Sequence, residues 1–143
     1  MFKIKFILVP FLILLYSCNS VDLSSPEKNI DTFYKSVVTK NFDMYEKCFY
    51  MNQNYYTPEI IKLASKKLFN DVELINYRII QKKKINENEV NITVVEETIV
   101  DKEIQMHVKS KYIATLIKIG NQWKILKSET LEFKPRVEEE RKN

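Results

Sequence analysis

Along residues 26–71, apolar side chains recur at intervals of three and four residues, which is the period of a helix that buries one face. The first of these stretches begins after a serine pair, Ser24 and Ser25, and carries Pro26-Glu27 in its opening turn. It ends near Asn41. The pattern predicts two further helices, a short one over 42–49 and one that opens at Thr57-Pro58-Glu59.

From Val72 onward, the pattern changes to alternation of apolar and polar residues, which is typical of strands with one buried face. It predicts four strands, over 72–84, 89–100, 104–119 and 122–133. Gly120-Asn121 predicts a two-residue hairpin loop, in which the glycine adopts a positive φ. Helices followed by an antiparallel meander indicate an α+β domain, with three helices packed on one face of a strongly curved four-stranded sheet.

The hairpin loop also predicts which side chains share the inner face of the sheet. If the last two strands pair without a bulge, Tyr112 lies opposite Glu129 and Ala114 lies opposite Lys127, on the same face as Trp123. Most residues on this face are apolar. The exceptions form a polar island, which consists of Glu96, Tyr112, Lys127 and Glu129.

This polar island has a catalytic interpretation and two structural ones. A carboxylate inside a pocket gains a raised pKa and can act as a base, with Tyr112 as a hydrogen-bond donor. Alternatively, a bulge turns Lys127 and Glu129 outward, or the island lies at the wet rim of the pocket. We favour the two structural interpretations, because perturbed carboxylates are only probabilistic markers of catalysis.

The opposite face of the sheet is more apolar than a solvated surface requires. We expect this outer face to contact a protein partner or a second copy of the chain, and cover by the C-terminal tail is the competing explanation. The apolar residues concerned are Val95, Ile113, Ile117, Ile119 and Leu126.

Residues 1–17 have the three parts of an export signal: a basic start, a short apolar run and a small residue before a cysteine. Leu15-Tyr16-Ser17-Cys18 resembles a lipobox. The resemblance implies a diacylglycerol thioether on Cys18, cleavage after Ser17 and acylation of the new amine. Such acyl chains anchor a domain stably to a membrane. Lipidation of Cys18 would leave Cys48 without a disulfide partner, as a buried inert thiol.

Composition narrows the function classes further. The net charge of +4 over 143 residues, without basic runs interleaved with aromatics, argues against nucleic-acid binding. A single glycine excludes a glycine-rich phosphate cradle. The only histidine, His107, is predicted on the outer face opposite Glu97, so we assemble no catalytic triad and expect no metal site and no cofactor.

Three segments resemble the small lipoproteins of unknown function in the nuclear transport factor 2-like superfamily. They are Ser25–Val37, Lys40–Tyr45 and Ile119–Ile125, which match an "SPE…F" helix, a "GDF" step into the second helix and a closing "G-x-W-K-I" strand. Asn41 stands where the family often has Gly or Asp. The resemblance implies a cone-shaped fold with a pocket at its open end, and a sheet face through which members often dimerise. Because the superfamily holds both enzymes and non-catalytic carriers, it implies no single activity.

These observations together predict four segments: a signal peptide (1–17), a lipidated tether (18–24), a nuclear transport factor 2-like domain (25–133) and a charged disordered tail (134–143). We expect a membrane-anchored domain of the bacterial cell envelope, outside the cytoplasm. Its expected role is non-catalytic binding or scaffolding of a protein partner or a small apolar ligand. The alternative is an isomerase- or hydrolase-like enzyme that uses Glu96 or Glu129 with Tyr112.

Overall fold

The computed structural model describes residues 21–137, so the predicted signal peptide, Cys18 and residues 138–143 lie outside the described residues. Three helices precede four strands along this part of the chain. The helices are α1 (Pro26–Thr39), α2 (Phe42–Lys47) and α3 (Pro58–Asp71). The strands are β1 (Glu73–Asn86), β2 (Glu89–Asp101), β3 (Met106–Ile119) and β4 (Gln122–Val137). The prediction of an α+β domain with three helices and a four-stranded antiparallel sheet is confirmed.

Side-chain caps fix where the two longer helices begin. Ser25 Oγ accepts a hydrogen bond from the backbone N–H of Lys28 at 3.2 Å, and Thr57 Oγ1 accepts one from Ile60 at 3.3 Å. A proline follows each cap, where its missing N–H costs no helical hydrogen bond. Helix α1 ends at Thr39 because Lys40 adopts a left-handed conformation, with φ of 54°.

The strands pair in the order β1-β2-β3-β4, and the helices cover one face of the sheet. The inner face carries Ile92, Val94 and Leu116, whose side chains are fully buried. Helix α1 contributes Ile30 and Tyr34 to the same core. Burial of these side chains supplies most of the free energy that holds the helices on the sheet.

A buried asparagine joins three parts of the fold. The Asn29 amide on α1 donates to the backbone oxygen of Cys48 at 2.9 Å and to that of Trp123 at 2.8 Å. Since Cys48 follows α2 and Trp123 begins β4, one side chain fixes both segments to α1. Its own Oδ1 is buried without a hydrogen-bond partner among the described residues.

Both ends of the domain extend beyond their predicted limits. Leu23 is buried, and its carbonyl accepts the backbone N–H of Trp123 at 2.8 Å, so residues 21–24 pack on the domain and are not part of a free tether. Strand β4 continues to Val137, which pairs with Met106. Residues 134–137 therefore belong to the sheet and not to a disordered tail.

The predicted register between β3 and β4 is right near the hairpin and wrong beyond it. Ile119 pairs with Gln122 and Leu116 pairs with Ile125, but a bulge then places Thr115 opposite Lys127 and a second follows Lys111. Lys127 and Glu129 therefore turn to the outer face, where both are exposed. The bulge-free pairing is therefore wrong for these two side chains, and the structure has instead the bulge of the alternative interpretation, which turns Lys127 and Glu129 outward.

The apolar residues predicted on the outer face do lie there. Val95, Ile113, Ile117 and Leu126 are half-buried among neighbouring side chains, and Ile119 is 45% exposed. None of the described helices has the length and apolar character needed to cross a membrane.

Candidate functional site

A cavity of about 430 Å³ lies between the helices and the inner face of the sheet, mainly over the half that is farther from the β3–β4 hairpin. The wall formed by the helices and the segment between α2 and α3 is largely aromatic. Its rings pack edge-on or tilted against one another, with centroids 4.8–5.9 Å apart, and belong to Phe33, Tyr34, Tyr45, Phe49 and Tyr56. Helix α3 supplies Ala64 and Leu68. Exposed residues of β4 form the side that is open to solvent, namely Ser128, Thr130 and Phe133.

One corner of this cavity is polar. The Tyr34 hydroxyl on α1 donates to Oε2 of Glu96 on β2 at 2.5 Å, and its oxygen lies 2.6 Å from the Tyr112 hydroxyl on β3. The sheet register explains the meeting, because Glu96 pairs with Ser110 and Val94 pairs with Tyr112 on adjacent strands. Two strands and one helix thus converge on one carboxyl and two hydroxyl groups.

The ring of Tyr34 is held from its other side by Tyr77. The two rings stack with centroids 3.9 Å apart and an interplanar angle of 13°. Tyr77 in turn donates to Asp31 on α1 at 2.8 Å. These contacts leave the Tyr34 hydroxyl little freedom to move away from Glu96 and Tyr112.

Burial governs the titration of the polar corner. It raises the pKa of the Glu96 carboxyl above its ordinary value, and the hydrogen bond from Tyr34 offsets this only in part. Burial likewise raises the pKa of both tyrosine hydroxyls. Tyr34 and Tyr112 therefore keep their protons at neutral pH, while Glu96 holds its proton to a higher pH than an exposed glutamate does.

The proton count in this corner limits what it offers a ligand. Each tyrosine hydroxyl has a single proton, so if Tyr34 donates to Glu96, the short contact with Tyr112 requires Tyr112 to donate to Tyr34. The Tyr112 oxygen then presents lone pairs. When Glu96 is protonated it can donate to Tyr34, and the chain can reverse, so that Tyr112 donates its proton to the cavity. The corner can therefore bind either a hydroxyl or a carbonyl oxygen.

Of the four residues in the predicted polar island, the structure brings Glu96 and Tyr112 together in the cavity. Lys127 and Glu129 lie on the other face of the sheet, and Ser128 and Thr130 line the cavity in their place. Sequence reasoning missed Tyr34 as a site residue, although it placed Tyr34 on the apolar face of α1. The sequence did contain one signal for it: a tyrosine on the core-facing side of a helix needs a hydrogen-bond partner for its hydroxyl, and so indicates a polar group inside the core.

The remaining candidate groups lie apart from the cavity. His107 lines a second cleft, of about 400 Å³, with Glu97 and three basic side chains. The predicted position of His107 opposite Glu97 is wrong, because Glu97 lies opposite Lys109 and His107 lies opposite Ile99 in the strand register. Cys48 is fully buried, and burial raises the pKa of its thiol to about 12. Within residues 21–137, no three His, Cys, Asp or Glu side chains are grouped in a way that would hold a metal ion.

Solved structures of known proteins share this fold. A SEC-C motif containing protein from Rhodopseudomonas palustris has a TM-score of 0.62 at 14% identity, covering 83% of this chain and 87% of that one. A putative scytalone dehydratase from Novosphingobium aromaticivorans has a TM-score of 0.61 at 12% identity, covering 88% and 90%. A ketosteroid isomerase-like protein from Erwinia carotovora atroseptica has a TM-score of 0.59 at 9% identity, covering 77% and 96%.

These neighbours establish that the chain has the nuclear transport factor 2-like, or cystatin-like, fold. No protein-family model matches the chain, and no curated protein matches it significantly. At such low identities the likeness concerns the fold, and the function has to be argued from the site.

Proposed function

We propose that this chain is a membrane-anchored, extracytoplasmic binding protein whose cavity takes a small, largely apolar molecule with one hydroxyl or carbonyl oxygen. The observation that carries this proposal is the contrast within the cavity. Its walls are mainly aromatic and aliphatic, whereas the one carboxyl group among its described lining residues, that of Glu96, lies in a corner with the hydroxyls of Tyr34 and Tyr112. Pockets of this size bind through apolar contact and select through a few placed polar groups.

The binding proposal can be tested with 2-naphthol, whose own fluorescence reports its transfer from water to an apolar site. We expect saturable binding by the wild-type domain. Ala64→Phe, which fills the cavity from α3, should weaken binding several-fold. Leu63→Phe adds the same ring to a neighbouring residue that is 71% exposed and should leave binding unchanged. Equal binding by both variants would place the probe outside the cavity.

The proposed anchor is the lipidated Cys18, which would make the chain a lipoprotein of the bacterial cell envelope. The support is the apolar leader and the lipobox-like Leu15–Cys18 segment. Cys18→Ser should abolish palmitate labelling and move the protein to the soluble fraction or leave the precursor uncut. Cys48→Ser is the matched control and should label and fractionate as the wild type does. Unchanged labelling of Cys18→Ser would refute the anchor.

We also propose that the outer face of the sheet contacts a second copy of the chain or another envelope protein. The support is its apolar row, in which Ile113 lies near the middle of β3 and Ile117 lies close to its C-terminal end. Ile113→Lys should reduce the sedimenting mass of a self-associating protein, whereas Lys111→Ala, on the same face, should not. A wild type that already sediments as a monomer would exclude the homodimer and leave a different protein as the partner.

The strongly curved, cone-like shape implied by the family resemblance also stays a proposal. Bulges at three places between β1 and β2 and at two between β3 and β4 would supply such curvature.

An isomerase-like enzyme is the second candidate function, and the position of Glu96 favours it. A carboxyl with a raised pKa beside a tyrosine hydroxyl has the groups needed to move a proton next to a carbonyl. The exposed position of Glu129 removes that residue from this role. Deuterium exchange at the α-carbon of 2-tetralone, followed by NMR, tests the idea: exchange by the wild type that Glu96→Gln abolishes would support it. Equal exchange by both proteins, at the buffer rate, would reject it.

A further inference from the structure

The chain enters the domain at the end of the sheet that is remote from the cavity. Leu23 is buried, and its carbonyl accepts the backbone N–H of Trp123, which lies beside the β3–β4 hairpin. Asp22 is held nearby, because its carbonyl accepts the hydroxyl of Thr32 at 2.9 Å. Val21 packs against the same core. The start of the described chain is therefore fixed to the hairpin end.

The two hairpins of the sheet lie together at this end. The backbone N–H of Lys118 donates to the carbonyl of Asn88 at 2.9 Å, which ties the β3–β4 hairpin to the β1–β2 hairpin. Ile85 and Ile119 stand next to the two turns, and each is 45% exposed. Lys118 and Lys84, which is ion-paired with Glu87 at 2.6 Å, flank them along the chain. Exposed apolar side chains next to lysines suit the boundary between lipid headgroups and acyl chains.

The cavity lies mainly over the other half of the sheet, and it reaches towards the hairpin only as far as Ala114 and Ile125. Its lining residues on β2 begin at Glu96 and run to Val100, and those on β3 run from Val108 to Ala114. Strand β3 is 14 residues long, so the β2–β3 turn lies roughly 40 Å from the hairpin end. The hairpin half is filled instead by core side chains such as Val90, Leu116 and Trp123.

From these placements we infer that the anchored domain stands on the membrane by its hairpin end, so that the cavity opens to the aqueous space and not to the bilayer. The inference rests on the proposed lipidation of Cys18. Three residue steps separate Cys18 from Val21, and they span at most about 11 Å when fully extended. The hairpin end thus stays within about 11 Å of the lipid headgroups. A ligand therefore enters the cavity from the aqueous phase.

Site-specific fluorescence quenching in reconstituted vesicles tests this orientation. The full-length lipoprotein carries a single maleimide fluorophore on Asn121→Cys, at the hairpin end, or on Lys102→Cys, in the opposite turn. Cys48 does not compete for the label, since its thiol is fully buried. Vesicles of phosphatidylglycerol and phosphatidylethanolamine contain a nitroxide on the headgroup. We expect quenching at position 121 to exceed that at position 102 several-fold.

Two controls separate this inference from the proposed function. If the two labelled variants do not float with the vesicles, the anchor fails and the orientation fails with it. If it floats and position 102 is quenched as strongly as position 121, the orientation alone is wrong. A long Gly-Ser insertion between Ser20 and Val21 should lower quenching at position 121. Unchanged quenching there would show that the short segment between Cys18 and Val21 is not what holds the hairpin end near the headgroups.

Discussion

The hydroxyl of Tyr34 lies 2.5 Å from Oε2 of Glu96, so a helix and a strand meet through a buried hydrogen bond to a carboxyl group. The same hydroxyl lies 2.6 Å from that of Tyr112. This relationship gives the apolar cavity its polar corner, and several consequences of it can be measured.

The first prediction concerns the hydroxyl that joins the other two groups. Tyr34→Phe leaves Glu96 and Tyr112 without their shared partner in a buried site, so the free energy of unfolding should fall by about 1–3 kcal/mol. Urea denaturation measures the loss. Tyr50→Phe, at a tyrosine that is 38% exposed, should change it by less than about 0.5 kcal/mol. Equal effects of the two variants would mean that the corner adds nothing to stability.

The second prediction is a pH dependence of stability with a defined sign. Burial raises the pKa of Glu96 in the folded state above its ordinary value of 4.5, so the folded state binds the proton more tightly than the unfolded state. The stability associated with this group is complete below pH 4.5 and is lost as pH rises through the folded pKa. Glutamine does not titrate, so Glu96→Gln should not lose this stability. In urea titrations over a pH series, the free energy of unfolding of the variant should therefore rise relative to that of the wild type as the pH increases above 4.5.

Asp22 provides a control of opposite sign. Hydrogen bonds from Ser24 lower the pKa of Asp22 from 3.8 to about 2 in the folded state, so its stabilising effect is present above pH 3.8 and is lost as pH falls towards 2. Asp22→Asn should abolish that acid-side dependence. If the two variants shift the pH profile in the same direction, the assignment of the shift to burial of Glu96 is wrong.

The third prediction concerns Asn29, the side chain that fixes two segments to α1. Asn29→Ala removes both amide hydrogen bonds in the core, after which the Trp123 carbonyl loses its bond from Asn29 and the Cys48 carbonyl keeps only the bond from the backbone N–H of Ile125. The expected loss of stability is about 3 kcal/mol. Asn70→Ala, at an exposed position of α3, should be nearly neutral. Similar thermal midpoints for the two variants would contradict the role assigned to Asn29.

The fourth prediction tests the strand register directly. Thr130 lines the cavity and Glu129 faces outward because of the bulge in β4. Thr130→Trp should weaken 2-naphthol binding several-fold, whereas Glu129→Trp should leave it unchanged. The reverse result would restore the bulge-free register, in which Glu129 faces the cavity.

The same stretch of β4 shows where sequence reasoning succeeds and where it stops. Near the hairpin, Trp123 and Ile125 alternate with polar residues, and burial of that apolar pair sets the register. From Lys127 to Thr130 both faces are polar, so the hydrophobic pattern does not distinguish a regular strand from a bulged one.

Between β2 and β3, the observed pairing differs from the predicted pairing by two residues. An even shift keeps every side chain on its face, so Glu96 and Tyr112 were placed on the inner face despite the error.

Tyr34 illustrates a different limit. Its position on the apolar stripe of α1 follows from helical periodicity, and it is indeed buried. Its meeting with Glu96 depends on how α1 crosses the sheet, which no local pattern determines. The cavity itself depends on the distance between α3 and β4, and no local sequence pattern determines that distance.

A crystal structure of the domain with 2-naphthol is the decisive test of the proposed binding site. We expect the naphthalene ring between the aromatic wall and Leu68, with its oxygen within about 3 Å of the Tyr112 hydroxyl or the Glu96 carboxyl. Tyr112→Phe should weaken binding of 2-naphthol but not of naphthalene. A ring bound outside the cavity, or an oxygen directed away from both Tyr112 and Glu96, would contradict it.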